Sequence, residues 1–308
     1  MAVGTTSTTA KAMKQYWNDL FLENLYDWRV MDGLTKKTNV PKGQGTTVWW
    51  VGINKVSPAG SVASTEGADP TSRSTTAHRV SAVLKEYNNL VIDSKLLIDT
   101  AIDGTKEAII KDLAKDAAKL LDDTLLAKAL SGGTALYANG KLHRSDVVKA
   151  CTATIKDIRK AVRLLELSSV PRWADGYYVG LIHPDVKFDL QSDSHWEDIV
   201  KYRDTVKYDI KGEVGRIWGV RFVLAPTIPI LTNSGSANVD IYRTMIFGPD
   251  YLGESHLGKL DVVINEPAKT VELGRKCAYG YNFVMATEVL DNQRAVRLES
   301  SASLGSNS

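Results

Sequence analysis

The chain has 308 residues, of which 44% are hydrophobic and 24% are charged, and its 38 basic and 36 acidic side chains leave a formal net charge of +2. This length and composition predict a globular, soluble chain that buries a sizeable core in one or two domains. The near balance of charge disfavours a protein held to nucleic acid by many phosphate contacts, so any contact with DNA should be weak and local.

Targeting, membrane and redox signals are weak. The N-terminal sequence MAVGTTSTTAKAM lacks the apolar segment of a signal peptide, and no apolar run approaches the roughly 18 residues of a membrane span. The two cysteines, Cys151 and Cys277, lie far apart without CxxC spacing, which favours neither a disulfide framework nor a zinc site. These features predict a protein made and used in a reducing cytoplasm, or in a particle assembled there.

The N-terminal part predicts an amphipathic helix. Apolar residues recur at spacings of three and four, as on one face of a helix, at Met13, Trp17, Phe21, Leu25 and Trp28. The helix should end near Asp32 and Gly33, and residues 36–45 should form a connector. A lone helix followed by a linker must bury its aromatic stripe on something else, so residues 1–45 are predicted to be an arm.

The next part predicts a long β-hairpin. Two strand-like runs, Thr46–Val56 and His78–Ile92, flank a Ser/Thr-rich stretch with prolines and glycines. Trp49 and Trp50 are adjacent, so on an extended strand they point to opposite faces, and both faces need cover. Because an isolated hairpin is marginal in water, it should lie against another part of the chain or reach over a neighbouring copy. Two edge strands of its own domain are the alternative.

The remaining sequence predicts a long helix followed by mixed strands and helices. An apolar stripe predicts a helix from Thr105 to Leu130, about 39 Å long. A further helix should begin near Ser145 and bury Cys151 on its apolar face, and short helices should follow His183-Pro184 and surround Trp196. The predicted strands cover residues 177–182, 220–225, 240–247, 261–265, 279–287 and 295–298. The predicted class is mixed α+β.

Motifs for catalysis, cofactors and metals have simpler interpretations. The run Gly253–Lys259 has the spacing of a phosphate-binding loop, but Leu260 stands where a hydroxyl should hold magnesium, and a strand follows instead of a helix. His183-Pro184-Asp185 fits the start of a helix better than a general base with its carboxylate. We therefore expect no enzyme activity, no catalytic residues, no cofactor and no metal site.

A set of short blocks stands in a characteristic order and spacing along nearly the whole chain. The blocks are Ser64–Pro70, Ala82–Tyr87, Leu121-Asp122, His183–Asp185, Gly212–Gly215, Gly219–Phe222, Phe247–Asp250, Gly280–Phe283 and Arg294–Arg297. Together they resemble the major capsid proteins of tailed phages with the Hong Kong 97 fold, in particular the head-protein family of N-four-like podophages.

The resemblance implies an α+β fold with four parts. These are an N-terminal arm (1–45), an extended β-hairpin loop (46–93), a peripheral domain (94–144 and 255–308) with a spine helix (105–130), and an axial domain (145–254). It implies self-assembly into hexamers and pentamers that form the icosahedral head of a tailed double-stranded DNA phage, with weak contacts to the enclosed DNA. The implied partners are a separate scaffolding protein, a portal and, where one is used, a decoration protein. The implied location is the virion, without a membrane, after assembly in the host cytoplasm.

The candidate inter-subunit contacts are large or charged side chains of the arm and loop: Trp17, Trp28, Trp49, Trp50, Glu66, Arg79 and Tyr87. Two other functions stay open at this point. The first is the shell protein of an encapsulin-type nanocompartment that stores an enzyme cargo. The second is a soluble hydrolase or nucleotide-binding enzyme that depends on His183 or Lys259.

Overall fold

The computed structural model describes residues 16–25, 29–41, 43, 45–53, 76–100, 105–193, 213–258, 260–265 and 275–305. The helices are α1 (residues 16–25), α2 (Lys95–Thr100), α3 (Thr105–Ala129), α4 (Ile155–Leu167) and α5 (Pro184–Gln191). The strands of the first half are β1 (Lys36–Val40), β2 (Thr47–Ile53), β3 (Ala77–Val83), β4 (Lys85–Ser94) and β5 (Thr134–Tyr137). The later strands are β6 (Tyr178–Ile182), β7 (Glu213–Ile217), β8 (Val220–Leu224), β9 (Tyr242–Phe247), β10 (Leu252–Leu257), β11 (Asp261–Asn265), β12 (Lys276–Val289) and β13 (Ala295–Ser300). Within these ranges no helix has both the length and the apolar character to cross a membrane.

A six-stranded sheet has the order β5-β13-β9-β6-β8-β7, with β6 parallel to β8 and β5 parallel to β13. Its central strand β6 is buried at every position. Val179 and Leu181 face the larger core cluster, whereas Tyr178 and Ile182 face a second cluster built with α4. Apolar side chains on both faces are typical of a strand covered on both sides. This sheet is therefore internal to the molecule.

A five-stranded sheet is built around the 14-residue strand β12, which pairs with β10, β11 and β4, while β1 runs parallel to β10. One face packs on α1 and α3. There Phe21 lies 6.1 Å from the Tyr281 ring, and the Tyr281 hydroxyl donates to Asp116 at 2.6 Å. The burial of β12 alternates along most of its length, as expected of a strand with one covered face.

The hairpin consists of β2 and β3, which pair antiparallel with Trp49 opposite Ser81 and Trp50 opposite Val80. Its inner face carries Trp50, which is 8% exposed and belongs to a small core cluster with Ala286 of β12. The Trp50 Nε1–H donates to the Thr38 hydroxyl at 3.2 Å. The hairpin thus rests on its own chain through one face.

The long helix and the hairpin pairing were predicted correctly, but several local predictions were wrong. The N-terminal helix ends before Arg29, because Asp122 accepts the backbone N–H groups of Val30 and Met31 and so stabilises a non-helical turn. Residues 36–40 of the predicted connector form strand β1, which pairs in parallel with the edge of β10. The second hairpin run divides at Leu84, since β4 pairs with β12 rather than with β2.

The helix predicted from Ser145 begins only at Ile155. Thr154 precedes its first turn, and its hydroxyl donates to Asp157 at 2.7 Å. Cys151 is buried as predicted, but it lies in the segment before the helix, beside Val147 and Ile241. The helix expected around Trp196 falls outside the described residues.

Candidate subunit-interface surfaces

The two motifs that could suggest an enzyme take structural roles. Gly253 to Leu257 form most of strand β10 rather than a loop, and Lys259 is not among the described residues. His183 precedes α5, where its Nδ1 accepts the backbone N–H of Asp185 at 3.3 Å. Burial lowers the pKa of His183, although the charge of Asp185 acts in the opposite direction. Across the described ranges, no three His, Cys, Asp or Glu side chains form a group that could hold a metal ion.

The outer face of the hairpin is apolar and open. Trp49 is 51% exposed and Val51 is 69% exposed, and Val83 lies on the same face because it pairs with Thr47. The Arg79 guanidinium lies 4.0 Å from the Trp49 ring centroid, a cation–π contact. Trp49 and Arg79 therefore form one preformed surface that is free to contact another molecule.

The five-stranded sheet has a second open apolar area, which we name the bare sheet face. It consists of Leu90, Ile92 and Val263, which are 60%, 55% and 48% exposed. The register places Leu90 and Val263 on either side of Gly280, so their side chains share one face of the sheet. A Cβ added at Gly280 would lie 3.3 Å from Leu90 Cδ1, so the leucine leans over the glycine. Exposed Leu96 and Leu97 of α2 follow directly after β4.

The hairpin covers the other end of this same sheet face. Ala286 shares the face of Gly280, because it lies six residues further along β12, and it is buried beneath the hairpin. A Cβ added at Gly253 would lie 2.9 Å from the Trp50 ring, which shows how closely the hairpin approaches β10. Cover by a hairpin therefore satisfies one end of the face and leaves the bare sheet face without a partner in the described chain.

A buried ionic cluster holds the N-terminal segment that supports the hairpin. Arg29 donates to Glu254 at 3.2 Å and lies 3.9 Å from Asp122. Glu254 is fully buried and also accepts from the Thr35 hydroxyl, while His256 Nε2 lies 2.6 Å from its Oε1. The cluster joins the segment before β1 to α3 and β10, and β1 in turn supplies Thr38 to Trp50.

The pKa values of the two acids in this cluster, Glu254 and Asp122, shift in opposite directions. Burial by itself would raise the pKa of Glu254, but the His256 hydrogen bond, the Arg29 charge and the Thr35 hydroxyl lower it to about 2. Burial also raises the pKa of Asp122, and the N–H groups of Val30 and Met31 offset this rise only in part. Glu254 is therefore ionised at neutral pH.

The structure places the five described contact candidates in three different settings. Trp49 and Arg79 lie together on the open hairpin face. Trp50 is covered by its own chain, so the expectation that it contacts another subunit gives way to an intramolecular role. Trp17 and Tyr87 are half-buried against the main core, and the Tyr87 ring stacks 5.4 Å from Phe283. Trp28 and Glu66 lie outside the described residues.

The bare sheet face was not predicted from the sequence. A signal was present, because Leu90, Val91 and Ile92 are three consecutive apolar residues within a strand, and alternation then places apolar side chains on both faces. The structure buries Val91 partly against the main core and leaves its two neighbours exposed.

No protein-family model matches the chain, and no curated protein matches it by sequence. Solved structures match at low sequence identity. The capsid of Ralstonia phage GP4 aligns with a TM-score of 0.73 and 11% identity, covering 89% of this chain and 88% of that chain. The cyanophage Pam1 capsid aligns with a TM-score of 0.69 and 14% identity, covering 92% and 93%. A virus-like particle from Pyrococcus furiosus aligns with a TM-score of 0.57 and 11% identity, covering 93% and 99%. The chain therefore has the α+β fold of phage capsid proteins, the Hong Kong 97 type that the sequence predicts.

Proposed function

We propose that this chain is the major capsid protein of a tailed double-stranded DNA phage and that it assembles into hexamers and pentamers of an icosahedral head. The observation that carries the proposal is a fold shared with phage capsids over about nine-tenths of the chain, combined with two open apolar surfaces. A subunit that fills a shell must expose such surfaces as a monomer and bury them in the assembly. The role is structural, without catalysis.

In this proposal, residues 1–45 form the arm and 46–93 the extended loop. Residues 94–144 and 255–308 form the peripheral domain with the spine helix, and 145–254 form the axial domain. The six-stranded sheet takes strands from both domains, and the proposed border at Ser255 falls within β10, so the two domains share a continuous sheet. The ordered sequence blocks support a place among the N-four-like podophage head proteins.

The two open surfaces suggest how copies associate. The outer hairpin face of one subunit, with Trp49 and Arg79, packs on the bare sheet face of its neighbour. The support is intramolecular: the hairpin already covers the Ala286 end of that sheet face in its own chain. Each such interface buries on the order of 1,600 Å² or less, and a closed shell gains stability because every subunit makes many contacts.

The proposal extends to partners and location. A scaffolding protein, a portal and, where one is used, a decoration protein act with the subunit, which assembles in the host cytoplasm and resides in the virion. The nanocompartment shell is the less favoured candidate, because the two phage capsids align with higher TM-scores than the virus-like particle does.

Negative-stain electron microscopy of the expressed chain tests this function. We expect closed shells, or shells on addition of a scaffolding protein. In particles from the native source, nucleic acid content supports the phage head, whereas a protein cargo without genomic DNA supports the nanocompartment. A discrete monomer under all of these conditions, or an enzymatic turnover lost in His183→Ala, would contradict both shell functions.

A further inference from the structure

The solvent-facing side of α4 carries an unbalanced row of positive charge. Lys156, Arg159 and Arg163 are spaced three and four residues apart, so they share one face of the helix, and all are exposed. In the described part of the chain none of them has an ion pair or hydrogen bond; Arg159 alone has a further contact, with an aromatic ring. These three cations are therefore available to an outside partner.

The neighbouring charges do not neutralise this row. Lys160 pairs with Asp157 at 2.9 Å, and Arg172 pairs with Glu166 at 2.7 Å, so both acids are already matched by other cations. Five basic and two acidic side chains leave a surplus of three positive charges on this surface. That surplus exceeds the net charge of +2 of the whole chain, so the other residues together carry a net charge of −1.

An exposed tryptophan stands beside the row in an unfavourable backbone conformation. Trp218 and Gly219 form the turn between β7 and β8, with φ angles of 50° and 80°. A two-residue hairpin turn with positive φ at both positions favours Asn-Gly, and a bulky residue there is uncommon. The Trp218 ring is 50% exposed, and the Arg159 guanidinium lies 4.6 Å from its centroid. The turn is therefore strained at Trp218, and the Trp218 ring holds the Arg159 side chain in place.

We propose that the α4 basic surface, defined as Lys156, Arg159, Arg163 and Trp218, binds the phosphate backbone of double-stranded DNA. The proposal rests on the proposed function, in which the shell encloses DNA. Guanidinium groups pair well with phosphate oxygens, and two of the three cations are arginines. The row spans about 10 Å along the helix axis, enough for several phosphates at about 3.4 Å per phosphate on one strand. A disordered acidic segment would lose conformational entropy on binding, whereas a duplex presents its charges in a fixed array.

The salt dependence of DNA binding tests this surface in isolated full-length subunits. Binding of a fluorescent duplex of random sequence is measured by anisotropy over a range of salt concentrations, with Lys156→Gln/Arg159→Gln/Arg163→Gln compared against the unmodified chain. Each phosphate contact contributes a slope of about −0.9 in log K against log salt. We expect the triple variant to bind at least about tenfold more weakly at low salt and its slope to become shallower by about 2.7.

The matched control is Lys106→Gln/Lys115→Gln/Lys119→Gln, which removes the same charge from exposed positions on α3. It should retain the affinity and the slope. An unchanged slope in the α4 variant, or an equal loss in the α3 control, would overturn the proposal. Poly-glutamate is the competitor: if it displaces the duplex as well as unlabelled DNA of equal charge does, the surface takes acidic polymers in general and the DNA assignment fails.

Trp218→Asn is the variant that separates binding from folding. Asparagine suits the turn better than tryptophan, so the melting temperature should stay the same or rise, while DNA affinity falls several-fold because Arg159 loses its support. An unchanged affinity for DNA would show that Trp218 is not part of the DNA-binding surface. Because the assay uses subunits in solution, its outcome is independent of assembly: shells without DNA binding would overturn this inference alone, and DNA binding without shells would overturn the proposed function alone.

Discussion

The two large sheets of this molecule differ in how they are covered. The six-stranded sheet has apolar residues on both faces and packs against a separate core cluster on each side. The five-stranded sheet has one face on α1 and α3, while the other is covered by the hairpin at one end and open at the bare sheet face. The first sheet is covered on both faces by its own chain, whereas the second keeps an open apolar area, which we propose is covered by another subunit.

The residues that stabilise the folded monomer should therefore differ from the residues that drive assembly. Side chains of the six-stranded sheet should determine whether the subunit folds, because their burial is already complete in the monomer. Side chains of the bare sheet face and of the outer hairpin face add little to folding, since they are exposed in the monomer. Their burial free energy becomes available only when subunits associate.

The sharpest comparison uses the same substitution in both sheets. Ile182→Ala removes a fully buried side chain from the six-stranded sheet and should lower the free energy of unfolding by about 4 kcal/mol. Ile92 is 55% exposed, so Ile92→Ala should cost less than about 1 kcal/mol in the monomer but reduce particle yield. Urea unfolding of isolated subunits and particle counts measure the two effects. If Ile182→Ala and Ile92→Ala lowered the free energy of unfolding of the monomer by similar amounts, the distinction between folding and assembly residues would be contradicted.

The adjacent tryptophans of the hairpin give a second matched pair. Trp50→Ala should lower monomer stability by about 3 kcal/mol, because it removes the centre of the small cluster on Ala286. Trp49→Ala should cost only about 0.5–1 kcal/mol, the value of its cation–π contact with Arg79, and should weaken assembly more. Thermal melting of subunits and of particles distinguishes the two. Equal melting of both mutant subunits would mean that the hairpin is not seated on its own chain.

Acid should weaken the connection between the N-terminal segment and β10. The folded pKa of Glu254 is about 2, below the unfolded value of 4.5, so its contribution is present above pH 4.5 and is lost as pH falls towards 2. The loss should approach roughly 3 kcal/mol. Asp122 acts oppositely, because its raised pKa makes protonation favour the folded state. The stability difference between the unmodified chain and Glu254→Gln isolates the glutamate; it should shrink between pH 5 and pH 2.5, and a constant difference would contradict the assignment.

The smallest effect on folding is expected on the bare sheet face. Leu90→Ser should change monomer stability by no more than about 0.5 kcal/mol, because Leu90 is 60% exposed, yet it should reduce assembly. Leu142, which is 79% exposed and lies outside both surfaces, supplies the control Leu142→Ser. Light scattering during assembly measures both variants. Equal assembly of the two would exclude the bare sheet face as an interface.

The sequence could predict elements whose pattern is local. The long stripe of α3 gave a helix with the same start and an end one residue away, and β11 was predicted with the observed bounds. The burial of Cys151 and the opposite directions of Trp49 and Trp50 also followed from sequence patterns. Among the candidate interface residues, the pairing of Trp49 with Arg79 required the hairpin register.

The remaining features depend on partners that are distant in sequence. Strand β1 has a polar sequence, KKTNV, and becomes a strand only because β10 offers it an edge. The inward position of Trp50 depends on Thr38 and Ala286, and the early end of α1 depends on Asp122. The late start of α4 had a local signal that was overlooked, since Thr154 and Asp157 have the spacing of a capping box.

The buried cluster of Arg29, Asp122 and Glu254 determines where the N-terminal region can pivot. Withdrawing residues 29–40 would leave two carboxylates inside the subunit without their cation, an outcome that costs several kcal/mol. During any reorganisation of a shell, those residues should therefore travel with the body of the subunit. High ionic strength, which loosens contacts between surfaces, should leave this anchor intact, because screening reaches buried charges poorly.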